Sequence, residues 1–336
     1  MKSSKLLDIL AAGALGDAFG YAVEFDSWAT IQSRFGLFGL VQWPFDPASG
    51  KLVASDDTQM TIFALEGLSR AVAEHGRAMD AKQAGHECFQ AFLRWLDTQE
   101  SPRPMAGGVA AMEALWQRQA PGATCLSALS AARRGQPVAN DSKGCGAAMR
   151  AAPCAALAGV WGAELAWDAA DLQGLSTHSH LDGHLSGAAL AWMVAAEPAD
   201  AGALAAAARE AADRALARGG AGTAERIRKA LALAERELAP EELCDELGEG
   251  WTGDEAVGVA LWAALRSKSV AEAIRLGANH RGDSDSAASM AAQLAACLWG
   301  LSAQERIAFS RVDLAPALLF VHAQWAEALE KASSAP

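Results

Sequence analysis

The chain has 336 residues, 51% of them hydrophobic and only 20% charged, which allows one large domain or two small ones and excludes a disordered chain. A net charge of −12 and a pI near 5.1 exclude a general nucleic-acid surface or an anionic-membrane surface, but not one small anionic ligand held by a metal and a few bases. The six cysteines (Cys88, Cys125, Cys145, Cys154, Cys244, Cys297) have scattered spacings with no C-x-x-C, so they read as reduced core thiols and point to the cytoplasm.

Helical periodicity recurs almost everywhere, β-branched residues are sparse, and no alternating strand stands out, so the predicted class is all-α. The lysines and apolar run at the N-terminus resemble a weak signal peptide. Asp8 and Asp17 interrupt that run, however, and Leu6–Tyr21 reads better as a helix. Gly13, Gly16 and Gly20 would let a second backbone pack close to it. Phe35–Gly50, rich in Gly, Pro and aromatics, reads as a loop. It leads to Ser55-Asp56-Asp57-Thr58, where a hydroxyl and two carboxylates stand at the start of a core helix.

Helices are then expected at about Ala78–Asp97, Met105–Gln119 and Leu126–Arg134, with Ser101-Pro102-Arg103-Pro104 as an interruption. Lys143-Gly144-Cys145-Gly146 is a Gly-containing turn running into a helix. Exposed amides there can cradle a phosphate, although most such turns are only turns. His180 and His184 have the i, i+4 spacing of a zinc pair, but no Cys or intervening Glu supports it, so capping or core roles are the competing reading. His178 is the better candidate for a ligand contact. Residues 198–240 read as an exposed helical scaffold with i, i+4 charge pairs. Gly248 to Gly253 is a Gly-rich turn before a helix, and Trp251 at its tip could stack on a flat ring or simply pack. No apolar segment has membrane-spanning quality; Ala287–Gln304 contains Ser and Gln and reads as a core helix. A C-terminal helix is expected over Pro316–Lys331.

That core helix is preceded by Asn279-His280-Arg281-Gly282-Asp283-Ser284-Asp285-Ser286. Two carboxylates and a hydroxyl again stand where helix amides and dipole favour anions. Ser286 or Ser284 can cap the helix. Two readings are open for this stretch: a cap flanked by solvated acids, or a site for a hard divalent cation that wants oxygen ligands. A second such cluster at Ser55–Thr58 favours the cation. If the two converge they offer about six oxygens, enough for one or two magnesium ions with waters.

With these pieces in order, the chain resembles the ADP-ribosylglycohydrolase family. Gly13–Gly20 with Glu24 is similar to its N-terminal motif. Ser55-Asp56-Asp57-Thr58 is similar to its first metal motif. Lys143–Arg150 with Pro153 is similar to its Gly-rich substrate loop. Thr177-His178, Gly250-Trp251 and Gly282–Ser286 complete the set, over roughly Leu6 to Gly300. Serines stand at 55, 284 and 286 where the family often has Thr, and the loop has fewer glycines than in some members. The form Asn-His-Arg-Gly-Asp-Ser-Asp-Ser resembles a bacterial branch that includes immunity proteins against ADP-ribosylating toxins.

The resemblance implies a single all-α domain over 1–336 (an orthogonal helical bundle) and a hydrolase that removes ADP-ribose from protein side chains, most of all arginine. It implies two Mg2+ ions, with Mn2+ as a substitute, held by Ser55, Asp56, Asp57, Asp283, Asp285 and Ser286. Glu24, Asp57 and Asp285 are the candidate catalytic residues. Lys143, Gly144, Cys145, Gly146, His178 and Trp251 are the candidate substrate contacts. The implied partners are ADP-ribose and an ADP-ribosylated protein, with no nucleic acid and no membrane. Arg150 is either local positive charge, with Lys143 and Arg281, or an anchor for a buried acid such as Asp17. The rival function is an immunity protein that neutralises an ADP-ribosylating toxin by direct binding, with or without hydrolysis.

Overall fold

A computed structural model describes residues 1–100 and 107–334. The described residues form 16 α-helices joined by turns, short 3-10 segments and irregular loops, with two isolated bridges in place of any sheet. In chain order these are α1 (Ser3–Gly20), α2 (Trp28–Phe35), α3 (Asp56–His75), α4 (Ala81–Glu100), α5 (Ala123–Arg133), α6 (Ala158–Trp161), α7 (Ala163–Leu175) and α8 (Leu181–Ala195). They continue as α9 (Ala201–Ala217), α10 (Ala221–Leu233), α11 (Pro240–Leu247), α12 (Gly253–Arg266), α13 (Val270–Ala278), α14 (Ser284–Trp299), α15 (Ala303–Phe309) and α16 (Ala315–Ser334). The all-α prediction holds. No helix among the described residues is long and apolar enough to cross a membrane.

Helices α1 and α14 form the central pair, because small residues let their backbones touch. A Cβ at Gly16 would lie 2.3 Å from the carbonyl O of Ala288, and one at Gly20 would lie 2.2 Å from that of Ser284. Both helices are buried over most of their length, as expected where apolar and small residues occupy every face. Helix α3 joins this core and is buried from Asp56 to Ser69. The N-terminal turns of α3 and α14 and the turn after α1 therefore meet on one side of the bundle.

Several boundaries differ from expectation. The expected helix over 105–119 is instead two 3-10 turns, Val109–Ala111 and Glu113–Trp116; residues 101–106, with the expected Pro interruption, lie outside the described residues. Gly107 and Gly108 adopt positive φ (79° and 65°), and Glu66 Oε1 accepts the N–H of Val109 at 3.2 Å. That tether to α3 overrides the local helical pattern. Helix α14 stops at Trp299, where Gly300 takes φ 63°, a common glycine helix stop. Gly144–Arg150 contains a 3-10 turn (Cys145–Ala147) and no α-helix N-terminus. Helices α9 and α10 fall in the stretch expected to be an exposed scaffold, but each buries one face, alanine-rich in α9 and mixed (Thr223, Ala224, Ile227, Ala230, Leu233) in α10.

Candidate metal centre and cavity

The site begins with helix capping. Ser55 is the N-cap of α3, its Oγ accepting the N–H of Asp57 at 3.2 Å. This places Asp56 and Asp57 in the first turn, where the helix end favours negative charge. Asp56 Oδ2 accepts the N–H of Gly122 at 3.0 Å. At α14 the cap is Asp283, neither Ser284 nor Ser286: its Oδ1 accepts the N–H of Ser286 at 3.2 Å. Asp285 follows in the first turn. Gly282 makes this approach possible with φ 120°, and a Cβ there would lie 2.1 Å from Glu249 O, which itself accepts the N–H of Asp283 at 2.8 Å. Glu24 arrives from the turn that closes α1.

These pieces converge on a cavity of about 200 Å³ lined by Glu24, Asp56, Asp57, Asp283, Asp285 and Ser286, together with Gly144, Cys145, Gly146, His178 and Trp251. Carboxylate oxygens of Glu24, Asp283 and Asp285 lie within 4.8 Å of one another. Ser55 is fully buried and is not among the lining residues.

The electrostatics are those of crowded buried anions. Burial first, and Asp285 second, push Asp17 up to about 7 and Glu24 up to about 10. Burial and then Asp285 also push Asp57 and Asp283 well above the ordinary carboxylate range. Burial raises Asp56 too, with the Gly122 hydrogen bond opposing. Two oxygens, Glu24 Oε2 and Asp57 Oδ2, are buried with no hydrogen-bond partner. Buried carboxylates normally find donors or cations. An oxygen-rich set with unmet valence therefore fits a hard divalent cation.

None of the three expected cations supplies that compensation. Arg150 does not anchor Asp17. It is fully buried, donating to Gln173 Oε1 (2.8 Å) and Thr177 Oγ1 (2.8 Å) and stacking over Phe92. Its length carries it to the α7 side of the core. Asp17 instead accepts the backbone N–H groups of Ser55 and Thr58. Lys143 Nζ lies 3.4 Å from Asp182 and 3.7 Å from Asp254, away from the cavity lining. Arg281 pairs with Glu249 and Asp245.

The other cavity residues are held by backbone strapping. Cys145 N–H donates to Trp251 O (3.3 Å), and Gly253 N–H donates to Lys143 O (2.7 Å). Trp251 stacks on Phe25 with ring centroids 6.2 Å apart. His178 is buried, its Nδ1 2.8 Å from Thr177 Oγ1, and burial, then Arg150, hold its pKa down at about 3, so the ring is neutral. Burial, then Asp283, push the Cys145 thiol well up, so it donates to Asp283 Oδ2 at 2.7 Å. The histidine pair is not a zinc site. His180 caps α8, accepting from Asp182 N–H at 3.1 Å, and His184 Nδ1 pairs with Asp171.

Sequence reading missed Gly122, Cys125 and Phe25. The Pro121-Gly122 turn was a visible signal for the first; nothing local marked the other two. All six cysteines are free, as expected.

The sequence model of the ADP-ribosylglycohydrolase family matches residues 2–319. The chain belongs to that family. Among solved structures, one titled "ADP-ribosylglycohydrolase-related protein complex" shares the fold, with TM-score 0.62 and 18% identity over 97% of this chain and 98% of that one. No protein of curated function matches the sequence.

Proposed function

We propose that this glycohydrolase removes ADP-ribose from modified protein side chains, with the N-glycosidic bond to arginine as its first substrate. The observation that supports this most is the meeting of Glu24 with the capping carboxylates of α3 and α14 in one cavity, with two buried oxygens unpartnered. The cavity suits a pair of Mg2+ ions, or Mn2+, held by Asp56, Asp57, Asp283 and Asp285 with hydroxyl help from Ser286, while Ser55 caps the turn that carries the first two. When bound, such ions supply Lewis-acid polarisation of ribose hydroxyls and of a water.

The chain's own residues do the remaining work. Asp57, Asp285 and Glu24 surround the anomeric carbon with carboxylates, which favour an oxocarbenium-like transition state. Glu24, on a turn at the cavity wall, contacts the ribose. The Gly144–Gly146 backbone approaches the phosphates closely, since no side chain stands at either glycine. His178, neutral, offers a hydrogen bond without adding charge. Trp251, backed by Phe25, gives a flat face for a base. Lys143 holds the loop and does not itself meet the phosphates. The reduced thiols agree with a cytoplasmic protein, and residues 1–336 act as one domain.

A role in immunity to an ADP-ribosylating toxin by direct contact draws support from the exposed Leu37 and Phe38 (73% and 81%). One experiment separates the two readings. Protein ADP-ribosylated on arginine is incubated with the enzyme, with and without Mg2+, and free ADP-ribose is assayed. Mg2+-dependent release that falls by about 10³-fold in Asp285→Ala is expected. Absence of release from arginine, serine or other linkages, with metal bound, overturns the hydrolase reading. Toxin protection that survives Asp285→Ala would favour contact.

A further inference from the structure

Directly beside an acid of the cluster, the cavity presents a sulfur that an all-oxygen ligand set does not require. Cys145 Sγ lies 2.7 Å from Asp283 Oδ2 and 3.5 Å from Ser286 Oγ. It lines the same cavity as Glu24, Asp57 and Asp285. Independently of that thiol, Glu24 Oε2 and Asp57 Oδ2 are buried and unpartnered there, on residues only 8% and 3% exposed. The oxygens of Glu24, Asp283 and Asp285 lie within 4.8 Å of one another. A cation among them has a sulfur beside its Asp283 ligand.

We propose that Cys145 is a soft donor at this centre. A thiophilic divalent ion takes Cys145 sulfur together with its two oxygen neighbours, Asp283 and Ser286, whereas a hard ion is held by the oxygens of the acidic cluster alone. The proposal rests on the acidic cluster being a metal centre. Thiolate selects soft and borderline ions, and carboxylate and hydroxyl oxygens select hard ones. With metal–sulfur near 2.3 Å and metal–oxygen near 2.1 Å, the two donors on one ion stand about 3.1–3.6 Å apart. Sγ therefore has to swing back from Asp283 by less than about 1 Å, a small change at Cys145 χ1. The bond formed is metal–sulfur; the bond broken is S–H, whose proton passes to solvent. The other cavity-lining thiol, Cys125, is engaged by Arg150 Nη1 at 3.3 Å and hydrogen-bonds to none of the cluster carboxylates, so it serves as the internal control. The centre then discriminates between ions: soft ions occupy the position the hard ion needs and hold it through an additional bond.

The test uses the full-length, reduced, metal-stripped protein and the bare ions Co2+, Cd2+ and Mg2+. Co2+ is expected to produce a sulfur-to-cobalt charge-transfer band in the near ultraviolet. The band should vanish in Cys145→Ser and remain in Cys125→Ser. Cd2+ affinity should drop about 10–100-fold in Cys145→Ser, with Mg2+ affinity by calorimetry within about threefold of wild type. Cobalt bound without the band, or a band that persists in Cys145→Ser, overturns the proposal while leaving the metal centre standing. Failure of Mg2+ and Co2+ alike to bind overturns both. Should Cys145→Ser fail to fold, alkylation of wild-type Cys145, read by peptide mass spectrometry, decides the matter. Cd2+ should protect Cys145 where Mg2+ does not, and equal labelling with the two ions overturns the proposal.

Discussion

Asp17 Oδ1, on α1, accepts the backbone N–H of Ser55 at 2.9 Å, and Asp17 Oδ2 accepts that of Thr58 at 3.0 Å. A carboxylate from one helix thus caps the start of another, and α1 sets where Asp56 and Asp57 begin. Ser55 caps the same turn from within the chain. The external cap matters more, because it satisfies two N–H donors and the Thr58 hydroxyl in a fully buried place. Asp17→Ala leaves those donors unmet. Leaving a buried donor unsatisfied costs about 1–3 kcal/mol. The expected loss is about 3 kcal/mol, discounted from the sum because one buried anion disappears with its repulsion from Asp285. Urea unfolding checks it; a loss under about 1 kcal/mol would show that the cap is dispensable.

Lys143 leads to a second prediction. Its ammonium bridges Asp182 and Asp254, both nearly buried, while its own backbone carbonyl accepts from Gly253. Removing the cation leaves two close carboxylates, one of which already has an unpartnered buried oxygen at Asp254 Oδ1. Lys143→Met should cost about 1–2 kcal/mol, less than a fully buried pair because Lys143 is partly exposed. Adding Asp254→Asn should recover part of the loss. A double-mutant cycle by urea unfolding reads the coupling. Additive losses would show that the bridge carries no stability.

Much of this was legible in the sequence, for identifiable reasons. Apolar residues at helical spacing outline α3, α8, α12, α14 and α16, since each buries a face determined by that spacing. Both acidic clusters stood out because capping is local chemistry, written within four residues. The misassigned features depend on residues far away in the chain. What Arg150 and Lys143 meet, Gln173 and Thr177 for the one and Asp182 and Asp254 for the other, is decided by how α7, α8 and α12 pack, not by neighbours in the chain. Residues 107–119 followed the pull of Glu66 on α3 rather than their own pattern. The N-cap of α14 fell on Asp283 because Gly282 could turn against Glu249, a contact invisible at the level of spacing.

The buried carboxylates make stability depend on pH and metal together. A carboxyl whose pKa is raised on folding holds a proton that the unfolded chain releases, so folding weakens as pH rises through that interval. For Asp17 the interval runs from 3.8 to about 7, and for Glu24 from 4.5 to about 10. Asp56, Asp57 and Asp283 act in the same direction. Metal-stripped protein in EDTA should therefore melt at a lower temperature near pH 8 than near pH 6. Added Mg2+ should raise Tm more at the higher pH, where protons no longer compete for the oxygens. A Tm of the metal-free protein that climbs between these values would contradict the electrostatic account.

The close contact between α1 and α14 makes the last prediction the most local. A Cβ at Gly20 would sit 2.2 Å from Ser284 O and 2.5 Å from Asp285 Cα. Those atoms are backbone and cannot rotate away, so Gly20→Ala must push the first turn of α14 outward. Overpacking of this kind costs about 1–3 kcal/mol, and helix propensity, which favours Ala over Gly by about 1 kcal/mol, offsets only part of it. The displaced turn carries Asp283 and Asp285, so the same methyl group should weaken Mg2+ binding, although residue 20 touches no ligand atom. Gly36, where an added Cβ meets nothing within 4 Å, is the control for a glycine change as such, its positive φ (95°) making that change costly only locally. Paired calorimetric titrations should show Mg2+ affinity reduced about tenfold or more in Gly20→Ala and near wild type in Gly36→Ala. Equal affinity in the two variants would mean that the α14 turn is soft enough to return Asp285 to its place, and the rigidity assigned to this helix pair would be wrong.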